Sequence, residues 1–514
     1  MNAINREQIS YNNCMNKRKK IIRALSAVMV ASSLATLSCM NDEEFLSGPQ
    51  SPITFSVDTV SFDTIFTGIG SATKDFKVYN PNSKGVRLAS VRLGSGGSSG
   101  FRLNLDGQYG TQFTDVEIYH GDSLYCFVEV TVDPHDSDSP ILLTDSLLFT
   151  VEHGNTYKVM LQAWGQDIVV IRNIAIETDT TIAGTRPIVI MDSIVVAPDA
   201  TLTVAQGTML CFHKGAELAV HGRIICNGTT EKPIIMRGDR TDKLFPYLPY
   251  DRLDAQWGGV TLHPESFGNI FSHCNIHSGS YGIVAYESTG EDMKCEITNS
   301  IIHNVAGYGL FLHGAWADIT GCQITNAGAG CVTVIGGETL FTHCTIAQLY
   351  PWNADRGPAL LFSNVADNTE YPLRQIEFRN CIITGYSNDE VYGSRMQDSD
   401  ADFNYMFRNC LVNTKITEAD EPYFIDCKFD VEDKKNNTKD EGQKTKDENQ
   451  PHLHEANFRL VDTYSFNYDF ALDSLSVARQ MGNAAYVSPA AQYDLRGTLR
   501  PTINPDVGCY QSVE

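Results

Sequence analysis

The sequence predicts an all-β protein, namely a right-handed single-stranded parallel β-helix preceded by a small immunoglobulin-like β-sandwich. The first reason is a six-residue phrase, apolar at its ends, that returns between residues 271 and 427. A short unit repeated with extra residues between some copies is the signature of a solenoid. We call its fourth residue the mark, and the marks are Cys274, Ser300, Cys322, Cys344, Cys381, Cys410 and Cys427.

A second apolar phrase follows several marks and is the second reason for a β-helix. Each period therefore holds at least two strands, and bends such as residues 304–309 and 326–330 carry the Asn and Gly that tolerate a positive φ. The units are short and rich in Ile, Val, Phe and Thr, so the coils should be strands stacked about 4.8 Å apart. Parallel crossovers favour the right hand. The second phrase occupies residues 282–285, 309–312, 330–333 and 359–362.

Residues 1–39 have the layout of a lipoprotein signal peptide, with Met15 as a second candidate start. Basic residues 17–20 precede an apolar run over 21–37, and Cys39 follows almost at once. A basic segment followed by a short apolar run is typical of secretory signals. The ending resembles that of lipoprotein signals, which implies that Cys39 is lipidated and becomes the new N-terminus. Ordinary secretion, with Cys39 lost or left free, is the alternative.

Residues 40–50 form the predicted tether. The acidic patch at 41–44 resembles the surface-export signal of lipoproteins from Gram-negative commensals, and a merely solvated tether is the alternative. The net charge of −23 argues against nucleic acid as a partner and against direct adhesion to anionic lipid. We therefore predict an exported outer-membrane lipoprotein, exposed on the cell surface and bound to the membrane only through its lipid chains.

Residues 51–167 predict the sandwich. Alternating runs such as 76–79 and 127–132 are separated by turn clusters such as 80–85, a pattern typical of antiparallel strands. Three motifs, at 78–82, 130–134 and 161–165, resemble those of the immunoglobulin-like modules named for abnormal-spindle and Hydin proteins. The resemblance implies a spacer or interaction module without chemistry of its own.

Residues 168–514 predict the β-helix. Short strands separated by Gly form its first coils, and a long excursion over 238–256 precedes Trp257, which opens the next coil. This excursion and the tail phrases at 469–474, 494–497 and 505–510 resemble a family of surface-lipoprotein β-helix proteins of Gram-negative commensals. The resemblance covers nearly all of the mature chain and implies fold and location; because that family is defined by architecture, it implies no particular reaction.

A charged, low-complexity run over residues 430–450 predicts a disordered loop inside the β-helix, because the family-like tail resumes after it. Polar insertions between later coils lie at 350–357, 364–374 and 386–402.

The residue before each mark is polar or Gly, and two of these residues are His273 and His343. They are 70 residues apart and cannot lie on adjacent coils, so a polar ladder is favoured over a metal site. The cysteine marks should point inward as a free, buried column. No CxxC pair or Cys/His spacing suggests zinc. The other residues of this position are Asn299, Gly321, Asn380, Asn409 and Asp426.

The excursion is one candidate binding site, because it mixes aromatic rings with fixed charges, as sugar-binding sites do. Arg–Asp pairs that only fasten the loop to the coil below are the alternative. Its candidate residues, with the first residue of the coil that follows, are Asp239, Arg240, Tyr250, Asp251, Arg252 and Trp257.

The insertions are the other candidate, since loops on consecutive coils leave from one side and can wall a cleft. Solvated loops are the alternative. Asp398, Asp400 and Asp402 are candidate calcium ligands, and no other cofactor is expected. Glycosidases of this fold use two carboxylates, and lyases pair calcium with Arg or Lys, but no spacing here identifies catalytic residues. The binding candidates of the first insertion are Tyr350, Trp352, Asp355 and Arg356.

These patterns favour a surface lipoprotein whose β-helix presents a rigid face for binding a glycan or a partner protein, without catalysis. A polysaccharide lyase or glycoside hydrolase, acting in a cleft walled by the insertions, is the alternative. A purely structural envelope protein is a third interpretation.

Overall fold

The structure is a computed structural model that describes residues 44–46, 48–49, 51–287, 292–430 and 458–513. The predicted signal peptide, Cys39 and nearly all of the predicted disordered run lie outside the described residues. No helix in the part of the chain that is described is long and apolar enough to cross a membrane.

The chain divides into two compact units. The first comprises residues up to Ser61, Ala72–Val130 and Thr144–Gln162, and the second comprises Phe62–Ser71, Thr131–Leu143 and Ala163–Glu514. Within the described residues there is no α-helix, and the only helical turns are short 3-10 segments. These are Gly96–Ser98, Tyr250–Arg252, Glu421–Tyr423, Ala484–Tyr486 and Pro489–Ala491.

The N-terminal strands form two sheets. One has the order β1-β5-β10-β11-β3, with β8 beside β5, and the other has the order β2-β4-β9-β6-β7. Strand β5 is antiparallel to both β8 and β10, and β9 is antiparallel to both β4 and β6. The strands are β1 Phe45–Leu46, β2 Thr54–Phe55, β3 Thr59–Phe66, β4 Lys74–Tyr79, β5 Gly85–Leu93, β6 Phe101–Leu105, β7 Gln108–Gly110, β8 Gln112–Ile118, β9 Ser123–Val130, β10 Ile141–Val151 and β11 Thr156–Gln166.

The two sheets pack through apolar side chains that alternate along their strands. Phe76 on β4 meets Phe149 on β10 edge to face, with ring centroids 6.2 Å apart. The turn after β4 is fixed by Asn80, whose side-chain amide donates to the carbonyl oxygens of Ile118 and Lys84. The predicted sandwich of antiparallel sheets is present, and its assignment to the abnormal-spindle and Hydin type stays a prediction.

The remaining strands form the β-helix and three two-stranded hairpins outside it. The early strands are β12 Val169–Ile171, β13 Ile174–Ile176, β14 Thr180–Ile182, β15 Ile188–Ile190, β16 Ile194–Val196, β17 Thr201–Val204, β18 Met209–Phe212, β19 Leu218–Val220, β20 Arg223–Asn227, β21 Ile234–Gly238, β22 Lys243–Phe245, β23 Leu248–Pro249, β24 Val260–Leu262, β25 Asn269–Ser272, β26 Cys274–His277, β27 Ile283–Ala285, β28 Cys295–Thr298, β29 Ile301–Val305 and β30 Tyr308–His313. The later strands are β31 Trp316–Thr320, β32 Gln323–Ala327, β33 Gly330–Ile335, β34 Gly337–Thr342, β35 Thr345–Gln348, β36 Leu360–Ser363, β37 Val365–Ala366, β38 Thr369–Glu370, β39 Leu373–Arg379, β40 Ile382–Gly385, β41 Val391–Ser394, β42 Phe403–Arg408, β43 Leu411–Val412, β44 Phe424–Ile425, β45 Lys428–Phe429, β46 Phe458–Asp462 and β47 Asn467–Leu472.

Three long parallel sheets confirm the predicted right-handed parallel β-helix. The first sheet runs β12-β15-β18-β21-β26-β29-β32-β35-β40-β43-β45. The second sheet runs β13-β16-β19-β24-β27-β30-β33-β36-β41, and the third runs β14-β17-β20-β25-β28-β31-β34-β39-β42-β44. A complete coil, such as β28, β29 and β30, gives one strand to each sheet, so the third strand joins the two that the sequence predicted.

The mark phrase is a corner between the third sheet and the first. The residue before each mark has a positive φ, between 45° and 67°, a conformation that Gly and Asn adopt at low cost. His343 and Asn380 also share a hydrogen bond of 2.9 Å. This corrects the predicted polar ladder. All seven positions share a left-handed backbone conformation, and side-chain hydrogen bonds form only at some of them.

The marks point into the core as predicted. Cys322, Cys344 and Cys381 are fully buried in one hydrophobic cluster, and the described cysteines are free thiols. The Cys344 backbone N–H donates to the sulfur of Cys381, which ties neighbouring coils at 3.4 Å. Burial raises the pKa of the Cys381 thiol well above its ordinary value. Beside this column, four Phe rings stack with centroids 4.6 to 4.8 Å apart, namely Phe341, Phe378, Phe407 and Phe424.

The tail covers the outer face of the first sheet. Val507 and Cys509 pack with Ala347 and Ile382 in a second apolar cluster. The Tyr510 hydroxyl donates to Gln323 Oε1 at 2.8 Å. The family-like tail phrases thus serve to fasten this segment to the coils.

Candidate functional site

A pocket of about 580 Å³ opens where the first sheet turns toward the second, and we call it the Trp352 pocket. It belongs to the second unit and is built from three segments: the corner after β18, the excursion after β21 and the insertion after β35. Its lining consists of His213, Lys214, Asp239, Arg240, Leu244, Tyr250, Leu253, Asp254, Ala255, Gln256 and Trp352.

The floor of the pocket follows from strand register. Phe212 pairs with Gly238 across β18 and β21, so the next residues, His213 and Asp239, lie side by side on adjacent coils. His213 Nδ1 and Asp239 Oδ2 are 2.6 Å apart. The carboxylate fixes the orientation of the ring, and Nε2 is left as the nitrogen that can meet a ligand.

The excursion supplies one wall. It folds as the hairpin of β22 and β23, followed by the turn Tyr250–Arg252. The Arg240 guanidinium lies over the Tyr250 ring, 3.5 Å from its centroid, and its Nε donates to Asp242 Oδ1 at 2.8 Å. This ion pair raises the pKa of Arg240. A flat cation stacked on a ring is a stiff polar surface.

The insertion after β35 also lines the pocket, through Trp352. Trp352 is 45% exposed, and its ring lies 4.6 Å from that of Phe466. The Tyr350 hydroxyl donates to Asp254 Oδ2, which joins the two loops directly. Burial raises the pKa of Asp254 despite this hydrogen bond. At its base the insertion is held by Gln348, whose amide donates to Ala327 O and Gly357 O at 2.7 Å each.

Four of the candidates predicted from sequence therefore line one pocket: Asp239, Arg240, Tyr250 and Trp352. Tyr350 lies just behind it as the partner of Asp254. Two loops that are about 100 residues apart in the chain meet here because each leaves the same side of its coil.

Asp251 and Arg252 fasten the excursion instead of lining the pocket. Asp251 bonds to Arg237 at 2.7 Å and to His277 at 2.9 Å. Burial opposes its ionisation, but these partners hold the pKa of Asp251 well below its ordinary value. Arg252 Nη1 donates to Ser465 O at 2.6 Å. The contacts of these two residues therefore match the alternative interpretation, in which they only fasten the loop.

Trp257 was predicted from sequence as a binding residue, and the structure corrects this prediction. It is only 1% exposed, it stacks on Phe212 at 4.2 Å, and its indole N–H donates to His277 O. The ring is part of the core and has no free face for a ligand.

Asp355 and Arg356 do not line the pocket either. The Asp355 backbone N–H donates to Asn353 Oδ1, which shapes the loop. Arg356 lies over the Tyr386 ring, 4.9 Å from its centroid.

The candidate calcium ligands are spread over an exposed loop. Asp398, Asp400 and Asp402 are all exposed, and Asp398 has a φ of 58°. Among the residues that the structure describes, no group of three or more His, Cys, Asp or Glu side chains is placed to hold a metal ion.

Sequence reasoning missed His213, Lys214, Asp254 and Gln256. His213 could be predicted only from the pairing of β18 with β21, which places it beside Asp239 on the next coil. The sequence alone does not fix that pairing. Asp254 and Gln256 lie inside the excursion, where polar residues are too common to indicate a site.

The pocket combines exposed aromatic faces with groups that donate and accept hydrogen bonds. Trp352 and the Arg240–Tyr250 stack offer flat surfaces, while the His213–Asp239 pair and Lys214 offer polar atoms. The Gln256 amide instead holds the excursion, because its Nε2 donates to the carbonyl oxygens of Tyr250 and Leu253. Such a mixture suits a polar ligand with apolar faces.

Comparison with known proteins supports the fold. Residues 258–438 match the family described as a right handed beta helix region. Among curated proteins, none matches the chain.

Solved structures show only distant similarity. One is a family 123 glycoside hydrolase from Clostridium perfringens, with 10% identity over 24% of this chain and 26% of that chain, at a TM-score of 0.17. A PapD-like domain of human CEP192 has 7% identity over 25% of this chain and 97% of that chain, at a TM-score of 0.17. The periplasmic alginate epimerase AlgG has 8% identity over 48% of this chain and 70% of that chain, at a TM-score of 0.23.

Proposed function

We propose that this protein is a surface lipoprotein that binds a glycan, without chemical change, in the Trp352 pocket. The observation that carries the proposal is the meeting of an exposed Trp ring, an Arg–Tyr stack and an oriented His–Asp pair in one pocket of about 580 Å³. That volume lies within the range of small-molecule sites.

Each part of the pocket has a role in this proposal. A sugar ring has apolar C–H faces that pack on an aromatic surface, and Trp352 and the Arg240–Tyr250 stack supply two such surfaces. Its hydroxyl groups need partners of both kinds. His213 Nε2 and the Lys214 ammonium group supply these in the pocket, so a few polar groups set the orientation of the sugar.

The location is proposed from sequence alone. Basic residues, an apolar run and Cys39 favour a lipidated N-terminus, and the acidic residues after Cys39 favour export to the cell surface. A binding pocket on a tethered β-helix would then face soluble polymers outside the cell.

The test is titration of glycan fragments into the full chain and into Trp352→Ala, followed by calorimetry. Loss of a stacked aromatic anchor should weaken binding at least about tenfold. Trp316→Ala is the matched control, because Trp316 is 39% exposed on β31 and lies outside the pocket. Equal affinities for the two variants, or binding that neither change affects, would rule out the pocket as the binding site.

The His213–Asp239 pair favours one second candidate, a polysaccharide lyase or hydrolase. A His ring held by a carboxylate can take or give a proton at a sugar atom. Incubation with acidic and neutral polysaccharides would then release unsaturated products or new reducing ends, and His213→Gln would abolish that release while leaving glycan affinity within about threefold. Binding without products supports the non-catalytic proposal.

A further inference from the structure

A file of aromatic and imidazole rings runs along the β-helix at a corner different from that of the Trp352 pocket. It consists of His221, His263, Tyr286 and His313, and we call it the ring file. Each of these residues directly follows an inward residue of the second sheet. Those inward residues, Val220, Leu262, Ala285 and Leu312, pair in one register across β19, β24, β27 and β30.

Register places these rings on the outside. The four inward residues are fully buried, and successive side chains along a strand point to opposite faces. Tyr286 is 40% exposed, and the three His rings are partly exposed. The rings therefore form one row parallel to the axis, with one ring on each of four consecutive coils.

Three of the four rings lie next to one another. His221 and His263 stack with centroids 3.8 Å apart and planes 9° apart, and Tyr286 lies 6.5 Å from His263. At the far end, Tyr371 packs on His313 at 4.3 Å. At this register position the next coil has Ile335, so the row of rings ends there.

The charge around the ring file selects among polymers. The His221 ring bonds to Glu265 at 2.5 Å, and Glu287, which directly follows Tyr286, is exposed. Burial and the neighbouring His221 lower the pKa of His263, which keeps that ring neutral at neutral pH. Exposed carboxylates beside the ring file repel acidic polymers, so an uncharged polymer is favoured.

We propose that the ring file binds an uncharged polysaccharide chain that lies parallel to the β-helix axis. Coils repeat about every 4.8 Å, which is comparable to the length of one sugar unit in an extended chain, so successive units can each meet one ring. This surface is separate from the Trp352 pocket and holds whether or not the pocket binds a ligand.

The test is affinity electrophoresis of the full chain through gels that contain dextran, galactomannan or laminarin, with polygalacturonate and alginate as acidic polymers. At least one neutral polymer should retard the protein. The double variant Tyr286→Ala with His313→Ala should raise the dissociation constant at least about tenfold. Tyr286→Phe, which keeps the ring, should bind as the original chain does.

Two controls show that a loss of retardation comes from the ring file itself. Tyr392→Ala removes a ring that is 60% exposed on β41 and outside the ring file, so it should leave retardation unchanged. An unchanged melting temperature of the double variant shows that lost binding is not lost folding.

Retardation by acidic polymers alone, by no polymer, or equally of the double variant and the original chain would overturn the inference. Trp352→Ala distinguishes the two sites. If it abolishes all retardation while the double variant keeps it, the ring file is not a binding surface and the pocket is. If the double variant alone loses retardation, the ring file stands and the pocket proposal fails for these polymers.

Discussion

At the scale of single residues, the corner before each mark explains much of the repeat. A left-handed backbone is required there, and Asn, Asp, His or Gly supplies it. Asn380 adds more: its amide donates to His343 Nε2 and to Asn483 O, and its Oδ1 accepts from the Asn483 backbone N–H. One side chain thus holds both a neighbouring coil and the tail.

Asn380→Ala should therefore lower the free energy of unfolding by about 1–3 kcal/mol, because it removes buried hydrogen bonds as well as a residue suited to positive φ. Asn409→Ala is the control, since Asn409 has the same φ of 52°. Urea denaturation measures both. Equal losses would mean that only backbone conformation matters at these corners.

Glu390 gives a pH-dependent prediction. It is fully buried, and its carboxylate accepts the backbone N–H groups of Ser387 and Ala359 at 2.7 and 2.8 Å. Burial nevertheless raises its pKa from 4.5 to about 7. The folded chain then holds a proton that the unfolded chain releases, so this stabilising contribution is complete below pH 4.5 and is lost as pH rises through about 7.

We expect the original chain to lose stability relative to Glu390→Gln as pH rises from about 5 to about 8, as measured by urea denaturation at fixed salt. A difference between the two proteins that does not change with pH would contradict the raised pKa.

At the scale of elements, the strands were predictable because their apolar residues recur with the coil. The third strand was harder to see, since it runs directly into the mark phrase and a corner of one or two residues leaves no gap in the pattern. The loops were predictable as insertions, but their contacts were not. Trp257 and Trp352 look alike in sequence, and only the packing of Phe212 on Trp257 separates core from surface.

The contribution of the Phe stack to stability can be tested. Phe378 lies between Phe341 and Phe407, with centroids 4.8 Å from each. Phe378→Ala should lower the free energy of unfolding by about 3–5 kcal/mol, because neighbouring coils cannot collapse into the cavity. The exposed Tyr392→Ala should change it by about 0.5 kcal/mol or less. Similar effects in chemical denaturation would contradict the assigned core.

At the scale of the whole molecule, the chain contains a sandwich and a β-helix. We propose that a lipidated N-terminus precedes them and that the β-helix carries the binding surfaces. The all-β architecture was predictable from sequence because the repeat has a physical cause: each coil buries its apolar face only when neighbours are present. The Trp352 pocket was not predictable from sequence, because the residues that line it come from three separate segments of the chain.

The proposed anchor is tested by Cys39→Ser. The original chain should partition with detergent and label with radioactive palmitate, because lipid chains supply its membrane affinity. The variant should be soluble and unlabelled. A membrane-bound, unlabelled original chain would contradict lipidation at this residue.

Glycan binding in the Trp352 pocket is tested most directly by a crystal structure of the chain soaked with the glycan that it binds most tightly. We expect density for a sugar ring packed on Trp352, with a hydroxyl group at hydrogen-bond distance from His213. A glycan bound elsewhere while the Trp352 pocket stays empty would contradict the proposed function.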